Sequence, residues 1–227
     1  MALKILILLA LLTTCSALAN TIVVNDVDQV LGQSSLYINE NGTNNALYWA
    51  GGIDIAVDGY TRAVFCVQLF TNIYLNTTYG TTMDFSDTPN LKRVGWLLEN
   101  EFPVTQAGGA AFQLAIWDIV EDNGDGFGTT TTRAGKVSQS TDASNLTSIA
   151  VLDAANKYEA DSLGKSSDLG IVYHNVVLSN GTTAQTLMGL PVADSGPSPA
   201  PEPAAVLLFF SGLALIGLSR MRRGGAR

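Results

Sequence analysis

One cysteine and one glutamine have the side chains with which this sequence could do acyl chemistry. Cys66 lies in the apolar run 63–69, and Gln113 lies among large apolar residues in 111–120. A buried glutamine must find partners for its carboxamide or bear a desolvation cost of about 1–3 kcal/mol. From residue chemistry alone, we interpret Gln113 as following a polar helix face or capping a strand carbonyl, and Cys66 as a strand core residue.

A second chemical pattern is the order Cys66, His174, Asn175, in which His174 is the sole histidine of the chain. This order superficially suits a Cys-His-Asn hydrolase. No helix N-terminus or oxyanion motif surrounds Cys66 to lower its pKa, however. We therefore interpret residues 173–175 as an exposed strand edge and keep a cysteine hydrolase as the less favoured alternative.

A third pattern is the segment from Glu121 to Gly126, which contains acids, asparagine and glycine. Its spacing echoes a calcium loop, but Thr132 stands where the bidentate glutamate is needed. Because Asn, Asp and Gly favour turns, we interpret the segment as a turn after a helix. The sequence predicts no metal site and no cofactor.

Two kinds of element must position these residues. Short β-branched and aromatic runs separated by Asn-Gly, Gly-Gly and Asp-Gly pairs predict strands and hairpins. These runs are 21–24, 35–38, 46–50, 53–57 and 63–74, with a last hairpin formed by 170–178 and 184–190. Apolar residues at three- and four-residue spacing predict amphipathic helices over 91–100, 107–120 and 144–163. The order predicts one α+β domain over 20–190, mainly a β sandwich or barrel with a helical insert.

Residues 1–19 have the pattern of a secretory signal peptide. Lys4 precedes an apolar run over 5–12, and Ala17 and Ala19 have the small side chains that a signal peptidase admits. We expect cleavage after Ala19 and export of the chain.

The C-terminal end combines a linker, a predicted apolar helix and a basic segment that would stop translocation across the membrane. The Pro-rich linker 191–203 precedes an apolar segment over 204–219 and a basic tail over 220–227. The 15 apolar residues of 204–218 reach only about 22 Å, short of a hydrocarbon core of about 30 Å. They predict a poor permanent anchor, with the basic tail in the cytoplasm.

This tail resembles the PEP-CTERM sorting signal of Gram-negative envelope proteins, which exosortases process. The resemblance covers about the last thirty residues and depends on three ordered elements. Its defining side chains are Pro201, Glu202, Pro203, Arg220, Arg222 and Arg223. The resemblance implies transient anchoring in the inner membrane and display at the cell envelope or surface.

The charge and cysteine content of the residues between the two ends limit what this domain can bind. Residues 20–200 hold 7 basic and 19 acidic residues, a net charge near −12. This balance argues against binding to nucleic acid or to anionic membrane surfaces. Loss of the signal peptide would also remove Cys15, leaving Cys66 unpaired. Four roles stay open for it: a buried small hydrophobe, an intermolecular partner, a nucleophile or one half of another crosslink.

The strand around Cys66 and the Gln-x-Ala-Ile-Trp motif that begins at Gln113 together resemble the bacterial thioester domain. The helix predicted over 91–100 also resembles the helix before the glutamine in that family, and the likeness covers roughly 50–190. The resemblance implies a thioester between Cys66 and Gln113. The family's Gram-positive adhesins usually carry Thr where this chain has Phe112.

The resemblance also implies a function. In a thioester the thiolate is a better leaving group than ammonia is from an amide, so an amine or hydroxyl nucleophile can be acylated while the thiol is released. Phe65, Phe112 and Trp117 are expected to pack around the bond and exclude water. We expect a surface protein that attaches covalently, once per molecule rather than as an enzyme, to a polysaccharide or protein. The alternative is a matrix protein in which the bond only staples helix to sheet.

Overall fold

The computed structural model describes residues 20–40, 43–127, 137–140 and 147–191. The predicted signal peptide and the whole sorting tail, including Pro201, Glu202, Pro203 and the arginine cluster, lie outside these residues. The chain divides after Pro191 into two units, and every described residue belongs to the first. Within the described part, no helix is both long enough and apolar enough to cross a membrane.

The described residues form nine strands and three helices. The strands are β1 (Asn20–Val27), β2 (Gln33–Glu40), β3 (Thr43–Gly51), β4 (Ile53–Val57), β5 (Tyr60–Cys66), β6 (Thr77–Phe85), β7 (Val137–Gln139), β8 (Ile171–Val177) and β9 (Leu187–Gly189). The helices are α1 (Pro89–Asn100), α2 (Gln106–Asp122) and α3 (Ile149–Ser162).

Six strands close an antiparallel barrel in the order β1-β4-β5-β9-β8-β6, and β6 returns to pair with β1. The other three strands form a separate sheet in the order β3-β2-β7. Closure removes the exposed edges that an open sheet would present. The prediction of a mainly β domain with a barrel and a helical segment is therefore confirmed.

Helix α2 lies at the centre of the domain and is buried on all sides. Every residue from Gly109 to Ile119 is buried, and the helix contacts β2, β3, β5, β7, α1 and α3. The helix predicted over 107–120 is thus confirmed, but its expected polar face is not exposed, since Gln113 and Asp118 are buried together with the apolar residues. The Thr105 side chain caps its start by accepting from Gly108 N, and Asn123 ends it in the left-handed region with φ of 71°.

Several element boundaries differ from the sequence predictions. The strand predicted over 63–74 ends at Cys66, and the last strand shrinks from 184–190 to Leu187–Gly189. Strands β6 and β7 were not predicted, and β7 is too short to show alternation. The third helix begins at Ile149 rather than 144, and residues 141–146 lie outside the described residues.

Candidate functional site

The Gln113 carboxamide pairs with the backbone of Cys66 through two hydrogen bonds. Cys66 N donates to Gln113 Oε1 at 2.9 Å, and Gln113 Nε2 donates to the Cys66 carbonyl oxygen at 2.6 Å. Gln113 is 0% exposed and Cys66 is 5% exposed. The pairing satisfies the buried amide that the sequence left in question, and it holds the carboxamide carbon beside the residue that carries the thiol.

The backbone of Cys66 is available for this pairing because one neighbouring strand stops short of it. Pairing between β4 and β5 ends with Ile53 opposite Val64, whereas β9 continues along the other side with Leu187 opposite Cys66. Successive N–H groups of a strand point to opposite sides, and Val67 N donates to the β9 side. The Gln113 side chain therefore takes the position of a missing strand next to Cys66.

The Cys66 thiol is buried and is the single free cysteine among the described residues. Burial raises the pKa of this thiol to about 12. A thiol in such surroundings is neutral at physiological pH, because a thiolate would lack solvation. Any acyl transfer to Cys66 must therefore depend on proximity rather than on a resting thiolate.

A cavity of about 510 Å³ opens beside Cys66. Trp117, one helical turn beyond Gln113, lines it together with Tyr48, and their rings meet edge to face at 5.8 Å. Trp117 is 2% exposed, and its Nε1 finds no acceptor among the described residues. Trp49 and Tyr74 also line the cavity and are more than half exposed, so aromatic side chains connect the buried thiol with solvent.

Comparison of the chain with family models, with curated proteins and with solved structures finds no match.

Two residues expected around the bond lie elsewhere. Phe65 and Phe112 are fully buried and pack against each other with ring centroids 4.8 Å apart. They belong to a second apolar cluster with α1 and α3 residues and do not line the cavity. Of the three packing residues named from the sequence, Trp117 alone faces the cavity beside Cys66.

The histidine of the alternative hydrolase is not brought to the cysteine. His174 is on the exposed face of β8, with Nε2 3.7 Å from Asp84 Oδ2, and it lines a different cavity from Cys66. Asn175 points to the opposite face, where its Nδ2 donates to the Gln185 carbonyl oxygen at 2.9 Å. This arrangement gives no support to a Cys-His-Asn set.

Sequence reasoning missed two features of the site. Trp49 and Tyr74 were not singled out, although their exposed aromatic rings at strand and loop positions are a recognisable signal. The second feature is a group of carboxyls at the end of α2, where the acidic segment 121–126 meets Asp118 and Glu159. The sequence offered no sign that Glu159, which lies on another helix, would join it.

Helix α2 passes close to the backbone of Leu31 at Gly109, and substitution of this glycine tests the position of the helix. A Cβ on Gly109 would lie 2.7 Å from the Leu31 carbonyl oxygen, one helical turn before Gln113. We expect Gly109→Ala to destabilise the fold by about 1–3 kcal/mol in urea unfolding, because the helix must shift away from backbone atoms that cannot yield. Gly108→Ala is the matched control, since its Cβ would meet only side-chain atoms, the nearest at 3.1 Å. Equal stability of the two variants would contradict the close approach.

Proposed function

We propose that Cys66 and Gln113 form an internal thioester, and that this bond acylates an amine or hydroxyl on a surface partner. The observation that carries the proposal is the double hydrogen bond between the Gln113 carboxamide and the Cys66 backbone. It corresponds to a chain before the bond forms, with nucleophile and acyl group held in one buried place.

The first step balances as a simple acyl exchange. The Cys66 thiol adds through Sγ to the Gln113 carboxamide carbon, the C–N bond breaks, and the thiol proton leaves with nitrogen as ammonia. The Cys66 N–H already donates to Gln113 Oε1, which is the oxygen that gains negative charge in the tetrahedral intermediate. One backbone group thus supports the step while the fold supplies the proximity.

In the second step an incoming amine attacks the thioester carbonyl, an amide forms on Gln113, and Cys66 leaves as a thiol. Burial raises the pKa of that thiol to about 12, so the released sulfur takes up the proton of the attacking amine and leaves as a neutral thiol. The cavity beside Cys66 and Trp117 supports access for a small nucleophile.

The two ends of the chain support an exported setting for this chemistry. The predicted signal peptide implies a signal peptidase, and the Pro-Glu-Pro tail with its apolar helix implies an exosortase and transient membrane anchoring. We propose a surface protein of a Gram-negative envelope that attaches to a polysaccharide or protein nucleophile. An acidic body is unsuited to nucleic acid.

One observation favours the alternative, a bond that only staples helix to strand. Gln113 is fully buried and does not itself line the cavity, so a nucleophile must pass Cys66 and Trp117 to reach it. Access would then depend on the size of the nucleophile.

The reactivity test is incubation of the purified protein with methylamine, followed by intact mass and peptide mapping. We expect near-stoichiometric uptake of one methylamine at Gln113, release of one thiol at Cys66, and slower uptake of bulky amines. The released thiol should alkylate more slowly in the folded protein than after unfolding, because burial limits access to the thiol and raises its pKa to about 12.

Cys66→Ala is the control and should take up no methylamine. If the wild type carries the thioester yet resists methylamine, the bond is a staple and the adhesive role is overturned. Uptake by Cys66→Ala would mean that the label arrives without a thioester.

A further inference from the structure

Carboxyl groups from two helices and a loop converge at the C-terminal end of α2. Asp118 and Asp122 are one turn apart on the helix, and Asp125 lies in the loop that follows. The ligand oxygens of these three residues all lie within 4.8 Å of one another. Glu159 approaches from α3, and its carboxyl stands against that of Asp118.

Three of these carboxyl groups each have one buried oxygen that accepts no hydrogen bond from the described residues. Asp118 is 0% exposed and Glu159 is 4% exposed. Asp118 Oδ1, Asp122 Oδ1 and Glu159 Oε1 are buried and have no hydrogen-bond partner in the described part of the chain. The Oδ2 atoms of the two aspartates are occupied, accepting from Gly126 N at 2.8 Å and from Val137 N at 3.0 Å. Backbone donors thus hold both aspartates in place while leaving one oxygen of each unsatisfied.

The Arg93 guanidinium enters this region from α1 but does not satisfy those oxygens. Its Nε donates to Ser162 Oγ at 2.8 Å, its Nη1 to the Asn123 carbonyl oxygen at 2.8 Å, and its Nη2 to the Glu159 carbonyl oxygen at 2.6 Å. These bonds end on hydroxyl and backbone oxygens rather than on carboxylates. Carboxyls crowded together out of water are unfavourable as anions unless a proton or a cation neutralises them.

We propose that Asp118, Asp122 and Asp125 bind one calcium ion, with the Glu159 carboxyl beside Asp118 at the edge of the site. Carboxylate oxygens are the ligands that hard divalent cations prefer. Opposite ligands around Ca²⁺ are about 4.6–5.2 Å apart, because each bond is about 2.3–2.6 Å long. The aspartate oxygens, all within 4.8 Å of one another, are compatible with this coordination sphere. We choose Ca²⁺ over Mg²⁺ because Mg²⁺ usually keeps several waters and is seldom held by protein ligands alone.

The ion would join the end of α2 to the loop that follows it. Asp118 is the next residue after Trp117, and the same helix carries Gln113. Calcium would therefore fix the helix on which the proposed thioester depends. The calcium site itself requires no thioester, so each proposal can fail alone.

The test uses the purified full-length protein, treated with EDTA and titrated with CaCl₂ by calorimetry. We expect one ion per chain and a rise in Tm of about 5 °C or more when calcium exceeds its Kd about a hundredfold. Asp118→Asn should abolish both effects, because the amide keeps the shape but removes an anionic oxygen. Asp153→Asn is the matched control, since it removes the same charge from an exposed position of α3 outside the cluster.

Asp122→Asn provides the same test if Asp118→Asn does not fold. The absence of any calcium response in the wild type would overturn the proposal and leave protons or chain cations as the neutralising groups. A response that persists in both variants would also overturn it, by locating the ion elsewhere. Intact mass of the same samples reports the thioester separately.

Discussion

The purified protein should weigh one ammonia less than its processed sequence requires, and Cys66→Ala and Gln113→Ala should each have the full mass of their own sequences. The reason is that thioester formation expels the Gln113 nitrogen as ammonia and needs both side chains. Their adjacency in the folded chain, with carboxamide bonds of 2.9 and 2.6 Å to the Cys66 backbone, predicts nearly complete conversion. Intact-mass spectrometry under mild acid, followed by peptide mapping, measures the difference directly.

The control separates this loss from other routes that release ammonia. Asn-Gly pairs such as Asn180-Gly181 can cyclise with loss of ammonia, but that reaction needs no sulfur. Asn175→Ala, which removes another buried carboxamide bonded to a backbone oxygen, should keep the mass deficit. A wild-type chain of full mass, with one thiol that reacts after unfolding, would rule out the thioester.

The second large effect is expected from the Gln113 hydrogen bonds when no thioester can form. In a Cys66→Ala background, adding Gln113→Leu should lower the free energy of unfolding by about 2–6 kcal/mol. Two buried backbone groups of residue 66 lose their partners, and each unsatisfied group costs about 1–3 kcal/mol. Urea unfolding of the single and double variants gives the difference with no crosslink in either chain.

Gln106→Leu in the same background is the matched control. Gln106 begins the same helix and its Nε2 donates to the Gln33 carbonyl oxygen at 3.0 Å, but this bond is exposed to water. The change should therefore shift stability by no more than about 0.5 kcal/mol. If Gln113→Leu lowers the free energy of unfolding by equally little, the Gln113 carboxamide does not make the two hydrogen bonds with the Cys66 backbone.

Local patterns in the sequence predicted the elements that are determined locally. The strand at 53–57 matches β4, and the helix predicted over 107–120 lies within α2. Alternation and helical spacing were sufficient for these segments because neighbouring residues along the chain determine them.

Features that depend on distant partners were not readable in the same way. The strand predicted to run to 74 stops at Cys66 because β4 pairing ends at Val64 and a helix side chain takes over. Likewise, the acidic segment after α2 was interpreted as a turn, since the approach of Glu159 depends on how α3 packs. The pairing of Cys66 with Gln113 was expected from a resemblance, and residue chemistry alone favoured less specific roles for both.

The enclosure of α2 has a mechanical consequence. A partner attached at Gln113 would apply its pull to the middle of a helix that is buried from Gly109 to Ile119. Extracting that helix would break its packing on the three-stranded sheet, on the barrel and on the two other helices. A partner attached at this point would therefore pull on the helix that contacts both sheets and both other helices, rather than on an exposed loop.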